Sequence, residues 1–168
     1  MGLQSMDPPP GQDPLQEKAE TLVQAAQVMA MSMFLPTLDR FPFLERVDGQ
    51  HWNFVVAVAG VYVASTGLGK LSLPDVRGNA LTDCVAQGLT KWDPDGPRAF
   101  VDCQGFFEKG VENLSAGGHD PQWIASDALG TWIVWNVLGK APETDQESQL
   151  ARTTGLVVIR NFRDWWDS

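Results

Sequence analysis

Side chains that could bind a metal or cofactor are few and widely spaced in this sequence. It contains two histidines, His51 and His119, and two cysteines, Cys84 and Cys103. Transition-metal sites usually combine several His or Cys ligands. No two of these residues have C-x-x-C or H-x-x-x-H spacing, so we expect no metal and no cofactor.

Catalytic motifs are also missing from the sequence. Ser115 stands in N-x-S-x-G, which lacks the first glycine of the G-x-S-x-G nucleophile motif. Gly69-Lys70 has the Gly-Lys pair of a phosphate-binding loop, but Ala64 stands at the position of the first glycine and Leu71 at the position of the Ser or Thr. Cys84 and Cys103 fall on apolar stripes, as buried cysteines do, and thiol redox chemistry is a minor alternative. We therefore assign no catalytic residue and favour a non-enzymatic role.

Tryptophan is in excess, with 7 residues in the chain. Trp132 and Trp135 lie in a strongly apolar segment and Trp92 ends an apolar stripe, so all three are predicted core residues. Trp165 and Trp166 are adjacent and would point about 100° apart on a helix. We expect their segment to dock onto the domain. The alternative is that one of these rings contacts a protein partner, since Trp is enriched at binding hot spots.

The first predicted helix begins at Asp13-Pro14 and ends near Pro36, because proline favours the first helical turn and disfavours the helix interior. Apolar residues recur in it at steps of three and four, namely Leu15, Ala19, Leu22, Ala26, Met29 and Met33. Polar residues become rare after Ala25. We therefore expect the second half of this helix to be surrounded by protein.

Further helices are predicted by apolar periodicity and capping signals in four segments, residues 75–92, 97–116, 121–138 and 144–166. Asp120 precedes a proline and is a predicted cap, and Thr144 with Glu147 has the pattern of a capping box. Residues 123–138 have few polar interruptions, so this segment is predicted to be the central helix.

Two segments have mixed signals. Residues 51–66 are predicted to be helical, but β-branched residues within 54–64 and again within 155–159 leave strands as an alternative. The fold class expected is all-α: one compact domain of five to seven helices, with orthogonal or bundle-like packing, over residues 13–168. An α+β fold with a small sheet is the alternative. Residues 1–12 contain three consecutive prolines and are predicted to be a disordered lead-in.

The charge balance restricts the partners and the compartment. The chain has 12 Lys and Arg against 21 Asp and Glu, a net charge of -9. Such a chain is repelled by phosphate backbones, so we expect no binding to nucleic acid. No basic and apolar leader pattern opens the sequence, and no apolar run reaches the ~20 residues of a membrane span. With two cysteines, these features predict a cytoplasmic protein without a membrane-spanning segment.

Two functions compatible with these observations are carried forward. The first is an acidic interaction or regulatory module that forms a homodimer, or binds another protein, through apolar helix faces. Its motivation is that residues 29–35 and the segment with Trp165 and Trp166 offer more apolar surface than one small core needs. The second is a helical domain or enzyme with an apolar pocket, lined by Trp and Met, for a small hydrophobic ligand. Its polar candidates are His51, Trp52, His119 and Asp120.

Overall fold

The structure is a computed structural model that describes residues 14–66 and 75–165, with side chains of residues 75–82 left out. The predicted lead-in and Trp166 lie outside these residues. The described residues form six α-helices and no strand. These helices are α1 Pro14–Arg40, α2 Gly49–Thr66, α3 Asp75–Trp92, α4 Gly96–Ala116, α5 Ile124–Leu138 and α6 Asp145–Phe162. The all-α prediction is confirmed, and residues 54–64 and 155–159 are helical.

The centre of the domain is α2, so the prediction that residues 123–138 are central is wrong. Trp52 and every residue from 55 to 64 are buried, and α2 packs against all five other helices. Its sequence has no Asp, Glu, Lys or Arg and is rich in Ala and Val, so all of its faces can be enclosed. In contrast, α5 carries Asp127 and leaves Trp135 with 45% of its surface exposed.

The first helix passes through Pro36 and ends at Arg40, beyond the predicted end. Proline removes one backbone donor, but the neighbouring turns remain bonded. The Thr37 hydroxyl donates to the Met33 carbonyl at 2.6 Å, and the Phe41 N–H donates to the Thr37 carbonyl at 2.8 Å. One lost hydrogen bond is tolerated because α1 is held along its length by α2 and α3. The Trp52 indole also donates to the Ala30 carbonyl at 3.0 Å.

The outer face of α1 contradicts the expectation that its second half is surrounded by protein. Val28, Met31 and Leu35 are 63%, 61% and 67% exposed. Successive residues turn by about 100°, which places these three opposite the packed stripe that includes Ala26 and Ala30. The domain covers α1 on one side, and the opposite apolar side faces outward. We call Val28, Met31 and Leu35 the outer stripe.

The closest helix pair is α5 and α6, whose backbones meet at two glycines. A Cβ added to Gly130 would overlap the Ala151 carbonyl, and one added to Gly155 would overlap the Ser126 carbonyl. Both positions therefore require glycine, because any side chain would push the two helices apart.

The turn between α5 and α6 has a glycine at the end of one helix and the predicted capping box at the start of the next. Gly139 ends α5 with a φ of 76°, a left-handed conformation that glycine adopts without strain. Thr144 and Glu147 form the predicted capping box at the start of α6. The Glu147 carboxylate also accepts from the Glu143 N–H at 3.0 Å and lies 3.1 Å from the Lys140 ammonium. Glu143 and Thr144 N–H groups and Lys140 lower the pKa of Glu147 to about 2.

The tryptophans differ in burial more than predicted. Trp132 is buried and donates from its indole to Asp102 at 2.9 Å, which confirms it as a core residue. The prediction for Trp135 is wrong, since its ring packs edge-on against Phe106 and otherwise faces outward. Trp92 is half-buried and stacks on Phe54.

Both cysteines are buried, as predicted. Burial raises the pKa of the Cys103 thiol well above its ordinary value, which disfavours the nucleophilic thiolate. The thiol redox alternative thus has no support at Cys103.

Candidate functional site

A cavity of about 480 Å³ lies beside α5 and α6 and contains one of the predicted site residues, His119. We call it the histidine cavity. Its polar wall includes Asp127 from α5 with Ser148 and Arg152 from α6, and its apolar wall includes Leu114 at the end of α4.

Three charged or titratable side chains of this cavity form one network. The carboxylate of Asp127 accepts from Nε and Nη2 of Arg152 at 2.9 and 2.8 Å. It also lies 2.7 Å from Nε2 of His119. Because an ionised carboxylate only accepts hydrogen bonds, Nε2 of His119 is the donor in this contact.

Local structure explains how these residues meet. Gly117 and Gly118 follow the end of α4, and His119 comes directly after them. Asp120 accepts from the Gln122 N–H at 3.1 Å and caps the short 3-10 helix Pro121–Trp123 that leads into α5. Asp127 lies in the first turn of α5. There its negative charge also interacts favourably with the positive end of the helix dipole.

The network favours the ionised form of Asp127. Partial burial by itself would raise the pKa of this carboxyl group, but hydrogen bonds from Arg152 and His119 outweigh that effect and hold the pKa below its ordinary value. Arg152 is further fixed by stacking over the Trp123 ring, with 4.5 Å between the guanidinium carbon and the ring centre.

Two further site residues predicted from the sequence, His51 and Trp52, lie outside the histidine cavity. His51 is exposed and its Nε2 donates to the Asn136 carbonyl at 2.7 Å. Asn136 is nine residues beyond Asp127 on α5, a distance of about 13 Å along the helix. Trp52 is fully buried, with its indole nitrogen bonded to α1. The structure therefore joins His119 and Asp120 in one region and holds His51 and Trp52 elsewhere.

Trp165 is half-buried against the core and packs against Phe162, with the two ring centres 6.0 Å apart. This position agrees with docking of the segment that carries it. Trp166, its predicted companion, is outside the described residues.

Asp127 and Arg152 were missed by the sequence analysis. Asp127 is the only charged residue in the 15 residues of α5. A single charge in such an apolar helix is expensive to bury unless it is paired, and this is the signal that could have identified it. No comparable signal marks Arg152, because its partner lies 25 residues away in the sequence.

The outer stripe of α1 is a second candidate site, of a different kind. Residues 21–38 contain no charged side chain. Met31 also borders a cavity of about 210 Å³ whose lining combines Phe54 and Trp92 with polar residues such as Gln27 and Asn53. Among the described residues, α1 alone has the length and composition of a membrane-crossing helix, a test that buried core helices and N-terminal signal sequences also meet.

No protein-family model, curated protein or solved structure matches this chain.

Proposed function

We propose that this protein is an interaction module that self-associates through the outer stripe of α1, with a second copy of the same chain as the occupant. The observation that supports this proposal is the exposure of Val28, Met31 and Leu35 in one line, opposite the packed face of the helix. Apolar residues aligned in this way have no role in the core of the single chain.

The spacing of the stripe suits two-fold pairing. In an antiparallel pair of α1 helices with the axis beside Met31, Val28 of one copy lies opposite Leu35 of the other. The same symmetry brings Gln24, whose amide can donate, opposite the carboxylate of Asp39, and both residues are exposed. The pairing brings residues 25–38 of the two copies together, and these are uncharged, so no charge loses its water in the centre of the interface.

The test is the subunit stoichiometry measured by native mass spectrometry and sedimentation velocity, from low to high micromolar protein. We expect a dimer that Val28→Glu weakens at least tenfold, because the new carboxylate must be desolvated against Leu35. Val101→Glu is the matched control: Val101 is 66% exposed on α4, and this change should leave the dimer intact.

A monomeric wild-type protein at high micromolar concentration would overturn the proposal. So would equal effects of Val28→Glu and Val101→Glu. If the protein is a monomer that co-sediments with phosphatidylcholine vesicles, and Val28→Glu abolishes this co-sedimentation, the stripe would instead be a membrane-surface contact.

A second candidate function is the binding of a small ligand in the histidine cavity. The observation that favours it is the joint placement of His119, Asp127 and Arg152 at the wall of a cavity of ligand size. This cavity is more polar than the Trp- and Met-lined pocket expected from the sequence, and its ligand would have hydrogen-bonding groups. Native mass spectrometry of the wild type should detect a bound ligand as extra mass, and His119→Ala should reduce the fraction of protein that carries this ligand. An equal fraction in the variant and the wild type would remove the candidate.

A further inference from the structure

A third cavity, of about 420 Å³, runs along α6 and adjoins the histidine cavity at Gln149 and Arg152. We call it the arginine cleft. Arg40 from the end of α1 lines it together with Arg152 and Arg160 from α6, and Trp123, Leu156 and Val157 provide its apolar surface. No Asp or Glu is among its lining residues.

The cleft is lined by basic residues although the chain as a whole is acidic. Acidic residues outnumber basic ones by 21 to 12, yet three of the 12 basic residues lie around one cleft. Guanidinium groups keep their charge at all physiological pH values and repel one another when they are close. An anion placed among them would relieve this repulsion and gain charge-assisted hydrogen bonds.

The three arginines differ in how firmly they are held. Arg152 is fixed by Asp127 and by the Trp123 ring, and its Nη1 takes no part in the two bonds to Asp127. Within the described residues, Arg40 and Arg160 form no ion pair, and both are exposed. One oriented guanidinium is thus accompanied by two exposed cations, of which Arg40 lies over the Phe41 ring, with 5.4 Å between the guanidinium carbon and the ring centre.

Among the described residues, the acidic groups that act on Arg152 lie on the side of the histidine cavity. Asp127 and, more weakly, Asp120 act on the charge of Arg152. They leave Arg40 and Arg160 without a described counter-ion. The apolar residues Trp123, Leu156 and Val157 are half-buried, so a ligand that touches them needs an apolar body as well as a charge.

We propose that the arginine cleft binds a small organic anion: a carboxylate, phosphate or sulfonate group attached to an apolar or aromatic body. The volume of the cleft is in the range of small-molecule sites. This inference concerns a different surface from the outer stripe and does not rest on self-association.

The test uses 1-anilinonaphthalene-8-sulfonate, whose fluorescence rises in apolar surroundings, and N-phenyl-1-naphthylamine, which has the same rings without the sulfonate. We expect the sulfonate probe to bind at least tenfold more tightly than the neutral probe, because the anion gains charge-assisted hydrogen bonds. Its affinity should also fall with added salt, since exposed charges are screened.

Single substitutions test whether the sulfonate probe binds in the arginine cleft. Arg40→Gln and Arg160→Gln should each weaken the sulfonate probe by about tenfold, the effect of one lost charge-assisted hydrogen bond. Both side chains are exposed, so the fold should be kept, as far-UV circular dichroism will verify. Arg98→Gln removes an exposed arginine elsewhere and should not change the affinity, and Met31→Gln tests whether the probe binds the outer stripe instead.

Three results would overturn the proposal. The first is equal affinity for the charged and the neutral probe. The second is that Arg40→Gln and Arg160→Gln behave like Arg98→Gln. The third is loss of binding in Met31→Gln, which would assign the probe to α1. None of these results depends on whether the protein is a dimer.

Discussion

The α5 and α6 interface and the outer face of α1 are both built mainly from uncharged residues, but they differ in side-chain size and in what lies opposite. Gly130 and Gly155 let the backbones of α5 and α6 approach so closely that no side chain fits between them. On α1, Val28, Met31 and Leu35 project from the helix and leave more than half of their surface exposed. Apolar composition therefore does not by itself tell which helix face is closed within the chain.

The two regions also differ in their content of charged residues. The edge of the α5 and α6 interface contains the paired charges Asp127 with Arg152 and Glu147 with Lys140. Residues 21–38 of α1 have none. If this comparison is correct, the stability of the fold should depend strongly on α5 and α6 and hardly at all on the outer stripe.

The largest expected effect is that of Gly130→Ala. Its added methyl group would overlap the Ala151 carbonyl and separate the helices, which should lower the free energy of unfolding by about 3 kcal/mol. Urea denaturation followed by circular dichroism measures this change. Gly105→Ala is the control: Gly105 is an exposed residue of α4 with open space around it, and this change should stabilise the protein by about 0.5–1 kcal/mol. A loss of stability below about 1 kcal/mol for Gly130→Ala would show that the helices are not in backbone contact.

Asp127→Asn should have the next largest effect. The amide cannot accept from both His119 and Arg152 as the carboxylate does, so we expect a loss of about 1–3 kcal/mol in the same denaturation experiment. A double-mutant cycle with Arg152→Gln should show positive coupling between the two sites. Additive losses would mean that the ion pair contributes nothing to the fold.

Lowering the pH should destabilise the protein through charged residues at the edge of the α5 and α6 interface. The pKa of Glu147 in the folded protein is about 2, compared with an ordinary value of 4.5, so its ionised form stabilises the fold. This contribution is complete above the ordinary value and is lost as the pH falls towards about 2. Asp127, whose pKa is also lowered, acts in the same direction. In denaturation curves between pH 7 and pH 2.5, Glu147→Gln should show a weaker decline than the wild type, and Met31→Gln should decline as the wild type does.

The smallest effect on folding is expected in the outer stripe. Leu35→Gln should change the free energy of unfolding of the monomer by less than about 0.5 kcal/mol, because the side chain is 67% exposed and leaves no cavity. Denaturation at low protein concentration measures the monomer alone. A large loss of stability would show that Leu35 packs within the domain, and the contrast with α5 and α6 would then fail.

Much of the local structure was predictable from the sequence. The capping box at Thr144 and Glu147, the Asp120 cap and the end of α4 before Gly117 all depend on residues within one turn of each other. The continuation of α1 through Pro36 was not predictable in this way, because it depends on packing against α2 and α3. The candidate site was identified only in part: His119 and Asp120 were selected as scarce polar groups, whereas Asp127 and Arg152 were missed.

The sequence by itself determined the helical fold class and the uncharged, apolar composition of residues 54–64, since periodicity, capping and composition are properties of short segments. Tertiary structure decided which helix is central, which apolar face is left open, and which charges meet. These outcomes depend on pairs such as Asp127 with Arg152, whose contact exists only once α5 and α6 have packed. The apolar periodicity of a helix is the same whether its apolar face packs against its own domain or against another molecule. The exposure of the outer stripe could therefore be seen only in the folded chain.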